Sequence, residues 1–226
     1  MDTNYFPIRF FETDRKEMKI VNFAFWGTVV LSFYFQAFLP FLNEHGGNVL
    51  VMLFAPLLTN NFFIAFLSIV YLAFTALLYN AVRIQLKQRN SWAQLACMAA
   101  LGAIVISSLI NLITLISMGI LPFVYNRISF SLITVTTAFR LFTNIALLVL
   151  SVFLTYRGRE WLRAAGIVYI VSFIAGILLG EIGLFFNHIL LQVVPYISML
   201  LNLSFLLFLR LSFKPVAKSS DESYAA

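Results

Sequence analysis

Apolar positions gather into long stretches bounded by charge, and six of these approach the ~20 residues that a helix needs to cross a ~30 Å hydrocarbon layer. They cover 20–42, 61–82, 92–117, 130–156, 164–180 and 187–211, the fifth being the shortest. The predicted fold class is all-α: a polytopic integral membrane bundle of six transmembrane helices forming one domain over 20–211. Residues 1–19 form a cytoplasmic N-terminal segment and 212–226 a short cytoplasmic tail. In the first segment Tyr5, Phe6, Ile8, Phe10 and Phe11 alternate with charges. That spacing predicts either an amphipathic segment lying on the inner membrane surface or a loose tail. The stretch lacks the short apolar region and small-residue cleavage site of a signal peptide, so the first span is expected to persist.

Two further pieces, 49–58 and 119–135, are too apolar for ordinary loops. Pro56 separates the first from the second span, and Pro122, Asn126 and Arg127 interrupt the other. They predict re-entrant or interfacial segments, or else ends of longer, tilted helices.

Charge orients this bundle, because Lys and Arg accumulate in cytoplasmic loops. Of fifteen Lys and Arg residues, all but Arg127 and Arg140 fall in four clusters. These are Arg9, Arg15, Lys16 and Lys19; Arg83, Lys87 and Arg89; Arg157, Arg159 and Arg163; and Arg210, Lys214 and Lys218. They occupy every second chain end, as an even number of crossings with both termini inside requires. The net charge of +6 is thereby explained as a topological signal that also meets anionic lipid, and no nucleic-acid partner is expected. Composition agrees: 62% apolar and 11% charged residues exclude a water-soluble monomer, and Cys97, the single cysteine, excludes a disulfide scaffold.

Helices within a bilayer associate where small residues let backbones approach. Ala96, Ala100 and Ala103 on the third span and Gly176 and Gly180, a G-x-x-x-G on the fifth, are the candidate packing positions, expected chiefly within the chain. Common catalytic signatures are missing: the sequence has no H-E-x-x-H, G-x-S-x-G or P-loop motif. No catalytic residue or cofactor is expected, and an enzyme is the lesser expectation. Glu44, His45, Glu181 and His188 carry ligand types that suit divalent ions, but no dense motif groups them and no metal site is expected.

Ionisable groups are expensive in hydrocarbon and usually face protein or water. Arg140 is such a group. Counted at 1.5 Å per residue, it stands roughly 25 Å from the inner boundary at Arg157, and Glu181 roughly 27 Å from Arg163. The two should therefore meet, or share a ligand, near the outer edge of the core. Asn111, Asn144, His188 and Gln192, with Glu44 and His45 beyond the first span, complete a polar layer in the outer third. The functional expectation is a permease-like protein that binds or transports a small solute or ion through an outward-facing polar cavity. It would be served by a cytoplasmic ATPase docking on the basic turns. A non-catalytic subunit or scaffold of a larger membrane complex, in contact with a second copy or another membrane protein, is the alternative. An enzyme acting on lipid at the outer leaflet through Glu181 and His188 is a third. The short loops suggest a bacterial inner membrane.

Overall fold

A computed structural model describes residues 8–40, 59–89, 91–120, 122–185 and 188–215, with side chains at 118–133 and 179–195 outside that description. Six helices occur among the described residues. They are α1 (Arg15–Phe33, continued by a π-helical segment, Tyr34–Phe38), α2 (Asn61–Gln88), α3 (Ala93–Ile120), α4 (Pro122–Arg157), α5 (Glu160–Phe185) and α6 (His188–Leu211). Two short strands, β1 (Phe11–Thr13) and β2 (Phe213–Pro215), flank them. Five helices contain stretches long and apolar enough to cross a membrane: Arg15–Phe38, Asn61–Gln88, Ala93–Ser117, Thr134–Arg157 and Glu160–Leu178. Tyr196–Leu211 is a shorter apolar helix. This apolar helical bundle is that of a multi-pass membrane protein.

Local chemistry sets the boundaries, which extend beyond the apolar stretches. α1 starts at Arg15 rather than 20 because Asp14 caps it, its carboxylate accepting from the Glu17 N–H at 2.6 Å. Asn60 caps α2 in the same way, accepting from the Phe62 N–H at 2.9 Å. The π-helical segment, where the Leu39 N–H reaches back to the Tyr34 carbonyl, comes just before Pro40, whose ring cannot continue a regular ladder. Within 119–135, α3 runs to Ile120 and α4 starts at Pro122, a residue suited to a first helical turn. α4 is thus one helix of 36 residues. α5, expected to be barely long enough, has 26 residues. The segment 49–58 lies outside the described residues.

Each helix packs against its neighbours in sequence, and α1 closes the series on α6. Close approach occurs where side chains are small. At Gly27 of α1 the Phe74 ring of α2 covers the position a Cβ would take. At Gly166 of α5 a Cβ would stand 2.5 Å from the Ser151 carbonyl oxygen of α4.

The buried core forms one cluster, and it is concentrated in the half of the bundle that carries both termini. It includes Val21 and Phe25, Leu78 to Leu86, Ala93 and Cys97, Leu147 to Leu154, Leu162 and Tyr169, and Phe205 and Leu209. Residues 8–13 cross this end as a strap. Ile8 bridges Gly158, donating its N–H to the Arg157 carbonyl and accepting from the Arg159 N–H, both at 2.8 Å. Three residues on, β1 pairs in parallel with β2 in the register Phe11 to Phe213, Glu12 to Lys214 and Thr13 to Pro215. Within β1 the burial follows the strand period, with Phe11 and Thr13 buried and Glu12 exposed between them.

Candidate functional site

Two regions bear on function: the seam between α4 and α5, and the strapped end. On α4, three rows of residues spaced by seven share a bearing within about 20° each step, because seven residues make nearly two turns. Thr136, Thr143 and Leu150 are buried along the whole row. The other two rows change character along the helix. Leu154 and Leu147 are 0% and 6% exposed, but Arg140, next in that row, is exposed. Ser151 is 0% exposed, and Asn144, seven residues earlier, is exposed.

The partner helix changes at the same level. Gly166 of α5 sits against Ser151 and Thr155, too close for a Cβ. Ten residues further along α5, roughly 15 Å, a Cβ at Gly176 would meet nothing within 4 Å. α5 returns antiparallel to α4, so ten residues back along α4 from Ser151 and Thr155 reaches Leu141 to Ile145, the level of Asn144 and Arg140. Leu162 and Tyr169, the row leading to Gly176, are buried; Gly176 itself is exposed. α4 and α5 are thus in close contact at the strapped end, whereas at the far level Arg140, Asn144 and Gly176 are all exposed. At the strapped end the Ser151 hydroxyl is buried with no hydrogen-bond partner.

The remaining expected site residues divide as follows. Asn111 is half-buried on α3. The backbones of Glu181, His188 and Gln192 lie on α5 and α6, Glu181 five residues beyond Gly176, but their side chains are outside the description. Glu44 and His45 lie outside the described residues altogether. Ala100 and Ala103 are buried and Ala96 is half-buried, whereas Gly176 stands in open space and Gly180 falls among the undescribed side chains. On α4, Thr136, Thr143 and Ser151 are buried, while Thr137, Arg140 and Asn144 are exposed. Several hydroxyls are satisfied within their own helix, Thr143 donating to the Phe139 carbonyl and Thr114 to that of Ile110, each at 2.8 Å. Among the described residues no group of three or more His, Cys, Asp or Glu could hold a metal ion.

The strapped end is the part that sequence reasoning missed. Gln85, a buried polar residue of α2, donates its side-chain amide to the Glu12 carbonyl at 2.7 Å, and Arg89 donates to the Phe10 carbonyl at 3.0 Å. Phe11 and Phe213 lie in tilted contact with ring centroids 5.1 Å apart. The Lys214 ammonium stands 4.8 Å from the Phe10 ring centroid. Arg210 donates to the Asn22 side chain, joining α6 to α1. Basic residues that the sequence marks as topological signals thus also fasten the strap. The available clue was the alternation of Phe11, Glu12 and Thr13, but its strand partner lies some two hundred residues away. No protein-family model matches this chain, and comparison with characterised proteins and with solved structures gives no match.

Proposed function

We propose that the chain crosses the membrane six times with both termini in the cytoplasm, and that it binds a small solute or ion in a crevice between α4 and α5 at the level of Arg140, as a permease-like protein of a bacterial inner membrane would. The two terminal strands pair with each other, and the basic clusters gather at the same end, which supports the even number of crossings. One observation carries the binding reading. The row Leu154, Leu147, Arg140 passes from packed core to an exposed position, so a guanidinium follows two buried apolar residues on the same side of α4. Retaining a charge at such a level is costly, and intramembrane charges are most often functional. Arg140 would take the anionic part of the solute, or share it with Glu181, and Asn144 would supply a neutral hydrogen-bonding partner. The crevice opens away from the terminal end, hence outward in this topology. Movement of solute would then require the seam to close above and part below, against the contact at Gly166.

Thermal unfolding of the purified protein in mild detergent tests the reading, with chloride, phosphate, acetate, succinate and glutamate as probes. At least one anion should raise the midpoint of the native protein and leave Arg140→Gln unaffected. Equal shifts in both proteins, or no shift in the native one, would overturn the anchor role.

A second reading has its own support. Gly176 offers open space on an exposed face, which is where a helix of another subunit could approach closely. A reproducible heteromeric mass in mild detergent, lost in Gly176→Leu, would favour a scaffold or subunit of a larger complex.

A further inference from the structure

The lipid-facing side of the α4–α5 seam carries a second feature, at the end where the termini lie. A groove of about 540 Å³ is lined there by Val152, Thr155 and Tyr156 of α4, by Arg159 of the intervening turn, and by Arg163 and Ile170 of α5. Arg159 and Arg163 are four residues apart, a spacing that places both guanidinia on one side of the helix start, and both are exposed. Among the described residues neither has a carboxylate partner, and the adjacent Glu160 is held by Arg9. Two forked donors are therefore directed to one groove with nothing anionic between them.

The rest of the groove is of opposite character. Ile170 lies ten residues past Glu160, roughly 15 Å along α5, and Val152 is more than one turn above the end of α4. The groove thus runs from the level of the basic turn into the apolar band, with the 79% exposed Tyr156 ring at the junction, the depth at which tyrosines anchor membrane proteins. A soluble anion needs the first part only; the second suits hydrocarbon. The Thr155 hydroxyl donates to the Ser151 carbonyl at 2.8 Å, so toward the groove it offers an acceptor.

We propose that this groove binds an anionic phospholipid of the adjacent leaflet, its phosphate on Arg159 and Arg163, a headgroup hydroxyl on Thr155 and an acyl chain along Val152 and Ile170. A glycerol headgroup meets these requirements. An ammonium headgroup places a cation between two arginines, and is disfavoured. The assignment is independent of the Arg140 crevice, on the other side of the seam.

Native mass spectrometry of the full-length, delipidated protein, titrated with dioleoyl phosphatidylglycerol and with dioleoyl phosphatidylcholine, reads the site directly. The anionic lipid should bind more tightly, and the double variant Arg159→Gln, Arg163→Gln should lose this preference by about 30-fold, the effect of two cations near a charged lipid. The pair Lys16→Gln, Lys19→Gln, equally basic but outside the groove, should retain it, as should Arg159→Lys with Arg163→Lys in large part. Val152→Trp fills the apolar track while keeping both arginines, and should weaken lipid binding even if the double variant fails to fold. Equal binding of the two lipids, or an equal loss in the Lys16, Lys19 pair, would overturn the proposal. So would full competition by inorganic phosphate together with unchanged binding in Val152→Trp, which would leave a site for a free anion only.

Discussion

Arg9 and Glu160 are 151 positions apart in sequence, and yet the guanidinium Nε lies 2.5 Å from the carboxylate. The pair fixes the start of the strap to the start of α5, at a residue whose φ of 49° is uncommon outside glycine. Its energetic weight is nevertheless small. Both side chains are well exposed, 66% and 40%, and such pairs contribute about 0–1 kcal/mol.

The strap is held by what lies beneath it. Phe11 is completely buried against Phe213, and truncating a buried aromatic costs about 3–5 kcal/mol through lost contacts and a residual cavity. Phe11→Ala should therefore destabilise the protein strongly in detergent unfolding, whereas Arg9→Ala should shift it by less than about 1 kcal/mol. Equal effects would mean that the ion pair, not the ring contact, secures the terminal end.

Gly166 and Gly176 of α5 should respond oppositely to the same substitution. Alanine at 166 would place its Cβ 2.5 Å from the Ser151 carbonyl oxygen, backbone that cannot yield without parting the helices. A loss of about 1–3 kcal/mol, the usual cost of overpacking, is expected in unfolding measurements. At 176 the space is open, and Gly176→Ala should be neutral or stabilising by up to about 1 kcal/mol, since alanine is the better helix former. A destabilised Gly176→Ala would place another helix at that position in the native assembly.

Much of this architecture is legible in the chain, for a physical reason. A span is announced by some twenty consecutive apolar residues and its orientation by flanking cations, and both are local signals. The strap is not local: three paired residues at Phe11 and Phe213 carry too little information to point to each other across the chain, so the same alternation reads equally well as a surface segment. Helix ends are partly hidden too, because α1 and α5 continue through charged turns that lie outside hydrocarbon. The depth of Arg140 follows from counting residues. What counting does not show is the seam. Only the structure shows the contrast there between buried Leu147 and exposed Arg140, seven residues apart.

Sided labelling checks the crossings. Cys97 is fully buried, its thiol donating to the Tyr79 carbonyl at 3.3 Å, so native protein should resist a membrane-impermeant maleimide until denatured. In a Cys97→Ala background, Lys16→Cys and Lys87→Cys should label only from the cytoplasmic side and His45→Cys only from the opposite side. Labelling of Lys16→Cys and Lys87→Cys from different sides would break the hairpin between them and with it the six-crossing topology.

Leu147 and Arg140 should also separate stability from binding. Leu147 is buried in the core, so Leu147→Ala should cost about 2–5 kcal/mol in unfolding measurements. Arg140→Leu would instead extend the apolar row by one step, removing a charge from a level where insertion alone costs about 2.5–3.5 kcal/mol. The variant should be as stable as the native protein or more so, and should lose any anion-dependent rise in unfolding temperature. Such an exchange of function for stability is what a charge kept for binding entails. A destabilised Arg140→Leu would instead identify the guanidinium as a structural group, satisfied by partners whose loss the fold cannot absorb.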